Sequence, residues 1–246
     1  MPADESARER FSRPALDELF RKFPERELTG ARIEFISRQF LGIPYRADTL
    51  AGPAEAESLV LSLTEVDCFT LLDYVEAMRH ASSFGGFLEL LRRIRYREGL
   101  VSFTHRNHFF SDWAVYNSQF VGDVTAAVGR GRVRRITKSL NRKEDGSFFI
   151  PGILPVVREI IYIPSPLIDG GIVEKLQTGD YAGIYTDAPG LDVSHVGIIV
   201  RRDGDLVLRH ASSSHGKVLD QDFRAYMEDR AGLILLRPRA ATVSGA

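Results

Sequence analysis

From Phe69 onward the apolar residues Phe69, Leu72, Val75 and Met78 recur at three-residue steps, as one face of a helix requires. Before them stands Leu59-Val60-Leu61-Ser62-Leu63, a short apolar run without that period. The junction carries two helix-start signals: Thr64 with Asp67 fits a capping box, and Asp67 alone fits an N-cap. Either choice puts Cys68 in the first turn of a buried helix. The same period predicts helices over residues 15–23, over a segment capped by Thr29 with Ile33, Ile36, Phe40 and Leu41 on one face, and over residues 87–98. Gly42 and Gly99 act as stops, and Pro44 keeps Gly42-Ile43-Pro44-Tyr45 out of helix. Residues 1–13 are polar and read as a disordered arm, and residues 50–57 as a surface loop. Residues 105–113 mix polar and aromatic side chains without a period, which predicts a loop leading into a short helix near Trp113 to Phe120.

The texture then changes. The basic stretch Arg130 to Lys143 alternates with Val133 and Ile136 and reads as a strand or ribbon with a solvated face. Residues 144–152 are turn-rich, and residues 153–163 are apolar and fit either helix or strand. Beyond Gly179, alternation predicts strands over 181–186, 193–201, 206–210 and 233–236. Helices first and strands second, with no repeat or convincing linker, point to a single α+β domain over 14–240.

Asp203-Gly204 between two alternating runs is a strong signal for a two-residue hairpin. If these are the turn residues, Arg202 pairs with Asp205, and counting outward sets Gly197 opposite His210 and His195 opposite Ser212. His195 and His210 then lie on one face as diagonal neighbours, with Cβ atoms somewhat under ~7–8 Å apart. Gly197, lacking a side chain, leaves room for the His210 ring.

Composition narrows the chemistry. The chain has 246 residues, is 44% hydrophobic and 26% charged, and carries a formal net charge of −1. That balance recruits neither nucleic acid nor an anionic membrane, and no run is long enough to span a bilayer. One cysteine excludes an internal disulfide framework and any multi-cysteine zinc site. A lone cysteine is most often a small buried hydrophobe, but at a helix start unpaired N–H groups and the helix dipole favour the thiolate. With two histidines on one strand face, the pattern favours a nucleophile: His195 to take and return the Cys68 proton, and His210 to fix its tautomer. His105 and His108 with Asp112 nearby compete as zinc ligands, but no third strong partner with an open position is evident, so neither metal nor cofactor is expected.

At this point the chain resembles the papain-like cell-wall hydrolases of the NlpC type, and within them the N-acetylmuramoyl-L-alanine amidase-like family. The matching segments are GIPYRADTL (42–50), VDCFTLLDYVEAM (66–78), IRYREG (94–99), RNHFFSDWAVYN (106–117), GDYAGIYTDAPGLDVSHVGIIV (179–200) and LRHASSSHGKV (208–218). The resemblance implies a papain-like core, with the nucleophile helix packed on an antiparallel sheet and a family insert around 100–165. It implies a Cys68–His195–His210 triad, Tyr45 lining the cleft and polarising the scissile carbonyl, and Asp67 holding substrate. It makes His108, Asp112, Trp113 and Asn117 candidates for the cleft wall. Phe109 stands where this family usually has tyrosine, so any hydroxyl role there is absent. The implied substrate is peptidoglycan or a muropeptide, cleaved at an amide through an acyl-enzyme. A γ-D-glutamyl-type stem-peptide endopeptidase, an acyltransferase and a non-hydrolytic cell-wall-binding relative are the alternatives. Such a substrate places the protein at the cell envelope or outside it, although the N-terminal stretch has no apolar core of signal-peptide length. The sequence is silent on oligomeric state.

Overall fold

The computed structural model describes residues 5–22, 29–50, 52, 56–202 and 204–240. Its helices are α1 (Glu5–Arg10), α2 (Arg13–Arg21), α3 (Thr29–Arg38), α4 (Cys68–His80), α5 (Phe84–Arg95), α6 (Phe110–Tyr116), α7 (Thr125–Gly129), α8 (Gly170–Val173) and α9 (Phe223–Met227). Its strands are β1 (Val121–Asp123), β2 (Arg134–Leu140), β3 (Val156–Pro164), β4 (Tyr181–Tyr185), β5 (Val193–Arg202), β6 (Asp205–Ser212), β7 (Lys217–Asp222) and β8 (Gly232–Pro238). The fold is mixed α+β with one antiparallel sheet, in the order β2-β3-β8-β4-β5-β6-β7 and with β1 on β8.

Alternation along the sheet's strands separates two apolar layers. Val196, Ile198 and Val200 of β5 join α4 and α5 residues in the larger layer, whereas Ile199 joins Leu208, Phe223 and Met227 in the smaller one. Helix α4 is buried from Thr70 to Arg79, polar residues included, so its polar side chains must find partners inside. Asp73 Oδ2 accepts from Arg95 Nε at 2.8 Å and its Oδ1 from Trp113 Nε1 at 3.0 Å, which ties α4 to α5 and α6. Glu76 accepts from Arg79 at 2.6 and 2.7 Å and from the Tyr181 hydroxyl at 2.6 Å, which ties α4 to β4. Burial raises the Glu76 carboxyl, but Arg79 and His80 pull it down to about 2.

The N-terminus departs from the expected arm. Residues 1–4 lie outside the described residues, but α1 buries Ala7, and Phe11 packs tilted against Phe40 with ring centroids 4.7 Å apart. That i,i+4 apolar pair, masked by the charges around it, and the Arg10 guanidinium donating to the Gln39 carbonyl fasten the segment. The helix expected over 15–23 begins earlier, where Ser12 caps α2, and its expected end at Phe23 lies outside the described residues. Likewise α5 starts at Phe84 because Ser83 Oγ accepts from the Gly86 N–H, so the two glycines sit inside the helix. Of the loop expected over 50–57, residues 51 and 53–55 are outside the described set.

The basic stretch does form strand β2, paired along its length with β3, but its face is not wholly solvated. Lys138 is 7% exposed, and its ammonium donates to the carbonyls of Thr186, Ala188 and Leu191. It thereby clamps the loop that leads into β5. The hairpin register follows the count outward from the turn, from Arg202 opposite Asp205 to Ile198 opposite Arg209. Gly204 adopts φ +92°, and Asp203 lies outside the described residues. Among the described residues no helix is long and apolar enough to cross a membrane.

Candidate active site

Asp67 sets where α4 begins. Its Oδ1 accepts from the N–H groups of Phe69 (2.9 Å) and Thr70 (2.7 Å), while Thr70 Oγ1 accepts from the Asp67 N–H at 3.0 Å. This reciprocal cap uses Thr70, not Thr64, as the partner of Asp67 and makes Cys68 the first helical residue. Asp67 Oδ2 accepts from the Thr49 hydroxyl at 3.0 Å, so both carboxylate oxygens of this expected substrate ligand are engaged by protein.

Cys68 is half-buried, and the backbone N–H groups of Val196, Cys68 and Phe69 favour charge on its sulfur. Burial, with the Asp67 carboxylate, outweighs those donors and pushes the thiol up to about 12. The expected resting thiolate is thus replaced by a thiol, because a sulfur anion loses more from desolvation than the helix start returns. Beside it, the Tyr45 N–H donates to the Gly216 carbonyl and the Arg46 N–H to the Val66 carbonyl, which seats Tyr45 against the strand-like approach to Asp67. Burial raises the Tyr45 hydroxyl, and the neighbouring Cys68 and Asp67 add to the rise.

The two histidines share a face. His195 Nε2 and His210 Nδ1 are 2.7 Å apart, with perpendicular rings. No hydrogen bond joins Cys68 to His195 directly. Beyond the pair, His210 Nε2 lies 2.6 Å from Gln221 Oε1, a partner that the sequence reading missed. Register explains the alignment: His210 pairs with Leu219 and Leu208 with Gln221, so His195, His210 and Gln221 run diagonally across β5, β6 and β7. Strand β7, KVLDQD, carries no clean alternation, and counting back from the turn at Gly216 was the signal available for it. Tyr226 of α9 packs edge-on to His210 with ring centroids 5.1 Å apart. Burial, reinforced by competition with His210 for a proton and by the charge of Arg230, drives the His195 imidazole down to about 3.

Gly197 is needed, though not to admit His210. A Cβ there would meet Leu208 Cδ1 at 2.7 Å and the Arg209 carbonyl oxygen at 3.0 Å. The close neighbour is the β6 backbone and the Leu208 side chain.

Two cavities flank the cysteine–histidine region. One of about 810 Å³ is lined by Asp48, Asp67, Arg106 and His108; the other, about 510 Å³, by His195, His210, Gln221, Tyr226 and Arg230. His108 thus reaches a cavity wall beside Asp67, with its Nε2–H donating to the Phe103 carbonyl at 2.7 Å. Two other wall candidates, Trp113 and Asn117, are corrected. Trp113 and Asn117 are both 0% exposed and cannot meet a substrate. Trp113 donates to Asp73 and Asn117 to the Ile94 carbonyl, so their polar atoms serve the interior. Asp112 is bound by Arg158 of β3 at 2.6 Å. His105 is taken by Ser102 Oγ at 2.7 Å, so the three side chains weighed as zinc ligands have three separate partners.

Comparison with known proteins places this geometry. The model of the AmiA-like, N-acetylmuramoyl-L-alanine amidase-like family matches residues 35–233. An N-acetylmuramoyl-L-alanine amidase from Bacteroides uniformis is similar in structure, with a TM-score of 0.71 and 27% identity, covering 86% of this chain and 99% of that one. A Legionella pneumophila protein shares the fold with a TM-score of 0.78 at 20% identity, covering 96% of this chain and 97% of that one. No curated protein matches the chain. A family match that takes in α4 with Cys68, the histidine-bearing hairpin and most of the sheet makes this chain a member of the N-acetylmuramoyl-L-alanine amidase-like family.

Proposed function

We propose that the protein is a cysteine-dependent amide hydrolase of the NlpC-type, papain-like kind, cleaving the bond between N-acetylmuramic acid and L-alanine in peptidoglycan fragments. The observation that carries the reading is the 2.7 Å contact between His195 and His210, with the Val196 N–H that follows His195 among the groups acting on the Cys68 sulfur. A binding module needs no such pair. His195 Nε2 is occupied by His210, which leaves Nδ1 as the ring nitrogen available to a thiol proton.

The resting groups are neutral thiol and neutral imidazole, so proton transfer accompanies attack and does not precede it. As sulfur adds to the amide carbonyl carbon, His195 Nδ1 takes the thiol proton. The carbonyl oxygen becomes an oxyanion, and the Cys68 N–H and the Tyr45 hydroxyl supply its donors. The N–H groups of Phe69 and Thr70 already serve Asp67, which leaves the Cys68 N–H as the first-turn donor without an oxygen acceptor. Collapse breaks the carbon–nitrogen bond, His195 returns the proton to the departing alanine amine, and the muramoyl group stays on sulfur as a thioester. Water then attacks that thioester and gives one proton to His195, which passes it to the departing sulfur to restore the thiol, while the released carboxylic acid loses its own proton to solvent.

Digestion of purified muropeptides with mass analysis of the products tests the bond assignment. The proposal expects free sugar and an intact stem peptide. Shortened peptides still joined to the sugar would instead identify a stem-peptide endopeptidase.

A further inference from the structure

The structure assigns a positioning role to Gln221: its carbonyl oxygen fixes the tautomers of both histidines, so that His195 keeps an unprotonated Nδ1 for the thiol proton. The inference rests on the hydrolase reading for its catalytic meaning, but its structural content stands on two hydrogen bonds.

An amide oxygen has no proton to donate. With Gln221 Oε1 2.6 Å from His210 Nε2, that nitrogen must carry the hydrogen. A neutral His210 then has a bare Nδ1, which accepts across 2.7 Å from His195 Nε2–H. A neutral His195 protonated at Nε2 is bare at Nδ1. Each step forces the next, and a glutamine turned to present its amide nitrogen would reverse every one of them and leave Nδ1 of His195 protonated. A base in that tautomer cannot accept a proton at Nδ1.

The surroundings keep the chain from slipping. The His210 ring is buried and held edge-on by Tyr226, so ring rotation would break two hydrogen bonds at once. The charged and titratable groups facing His210 are His195, His215, Asp220, Tyr226 and Arg230. Asp220 is engaged by Arg209, with Nε at 2.7 Å from its carboxylate, and His215 by Ser212 and Ser214. Among the described residues, Gln221 is the one hydrogen-bond partner of His210 Nε2.

The test compares the full-length protein with Gln221→Met, which keeps bulk and removes the acceptor, and with Gln221→Glu, which keeps an acceptor oxygen. The readouts are histidine ¹⁵N spectra of the resting protein and turnover of a muropeptide. Wild type should show both His195 and His210 protonated at Nε2. Gln221→Met should show mixed tautomers and lose about ten- to a hundredfold in kcat, the range of a disturbed general base. Gln221→Glu should restore the wild-type tautomers and most of kcat. An unchanged ¹⁵N pattern in Gln221→Met, or equal damage from Glu and Met, would overturn the assignment. Absence of any turnover by wild type would overturn the hydrolase reading alone, because the spectra report on the tautomers without substrate.

Discussion

A neutral thiol and a neutral imidazole at the same site make the chemistry of Cys68 depend on substrate. Burial holds the thiol up at about 12 and His195 down at about 3, so neither ionises in the free protein near neutral pH. Alkylation by iodoacetamide should therefore be slower at Cys68 than at an unhindered thiol near neutral pH, and should climb steadily with alkali. Rapid labelling in mild acid would show a preformed ion pair. The His195 shift also has a stability consequence. Its folded value lies below the ordinary 6.5, so the unfolded chain binds the proton first, and stability is lost as pH falls from 6.5 towards about 3. Thermal midpoints should decline across that window, and His195→Asn should flatten the upper part of the decline. An equal slope in the variant would mean that His195 contributes nothing to it.

At the scale of elements, α4 holds Cys68, the proposed nucleophile, in place because its flanks are fixed by buried ion pairs as well as by apolar packing. Glu76 and Arg79 are both enclosed, and Tyr181 and His80 complete the carboxylate's partners. Glu76→Gln should leave the Arg79 guanidinium buried without a counter-charge and cost about 3 kcal/mol, seen as a lower urea midpoint with an unchanged slope. A change within about 0.5 kcal/mol would show that the pair contributes little. The start of this helix was legible in the sequence because Asp67 has a side chain that only a cap uses well, and the β5–β6 register because the turn at Gly204 fixes a count. The polar interior was not. Trp113 and Asn117 have residue types that suit a cleft wall equally well, and only tertiary contacts distinguish the two uses. Gln221 escaped for a related reason: its strand lacks an apolar period, so its register comes from pairing with β6 and not from its own residues. The N-terminal segment hid a single apolar pair, Ala7 and Phe11, among charges.

Over the whole molecule, two layers meet at one sheet, and the site straddles their boundary. Helix α4 lies in the larger layer with Val196, while His195 and His210 face the side that α9 covers. Cys68 packs against the larger layer, and the Val196 N–H, next in the chain to His195, is among the groups that act on its sulfur. This arrangement explains why the glycine at 197 matters, since a Cβ there would press on Leu208 and the Arg209 carbonyl and shift β5 against β6. Gly197→Ala should consequently reduce turnover by displacing His195 while the protein remains folded; full activity would show that β5 and β6 can absorb the displacement.

The most direct measurement is hydrolysis of a purified muropeptide by wild type and by Cys68→Ala, each verified as folded by circular dichroism. The account predicts separated sugar and stem peptide with the wild type and no cleavage above the buffer rate with the variant. Hydrolysis by Cys68→Ala at a rate comparable to wild type would contradict it.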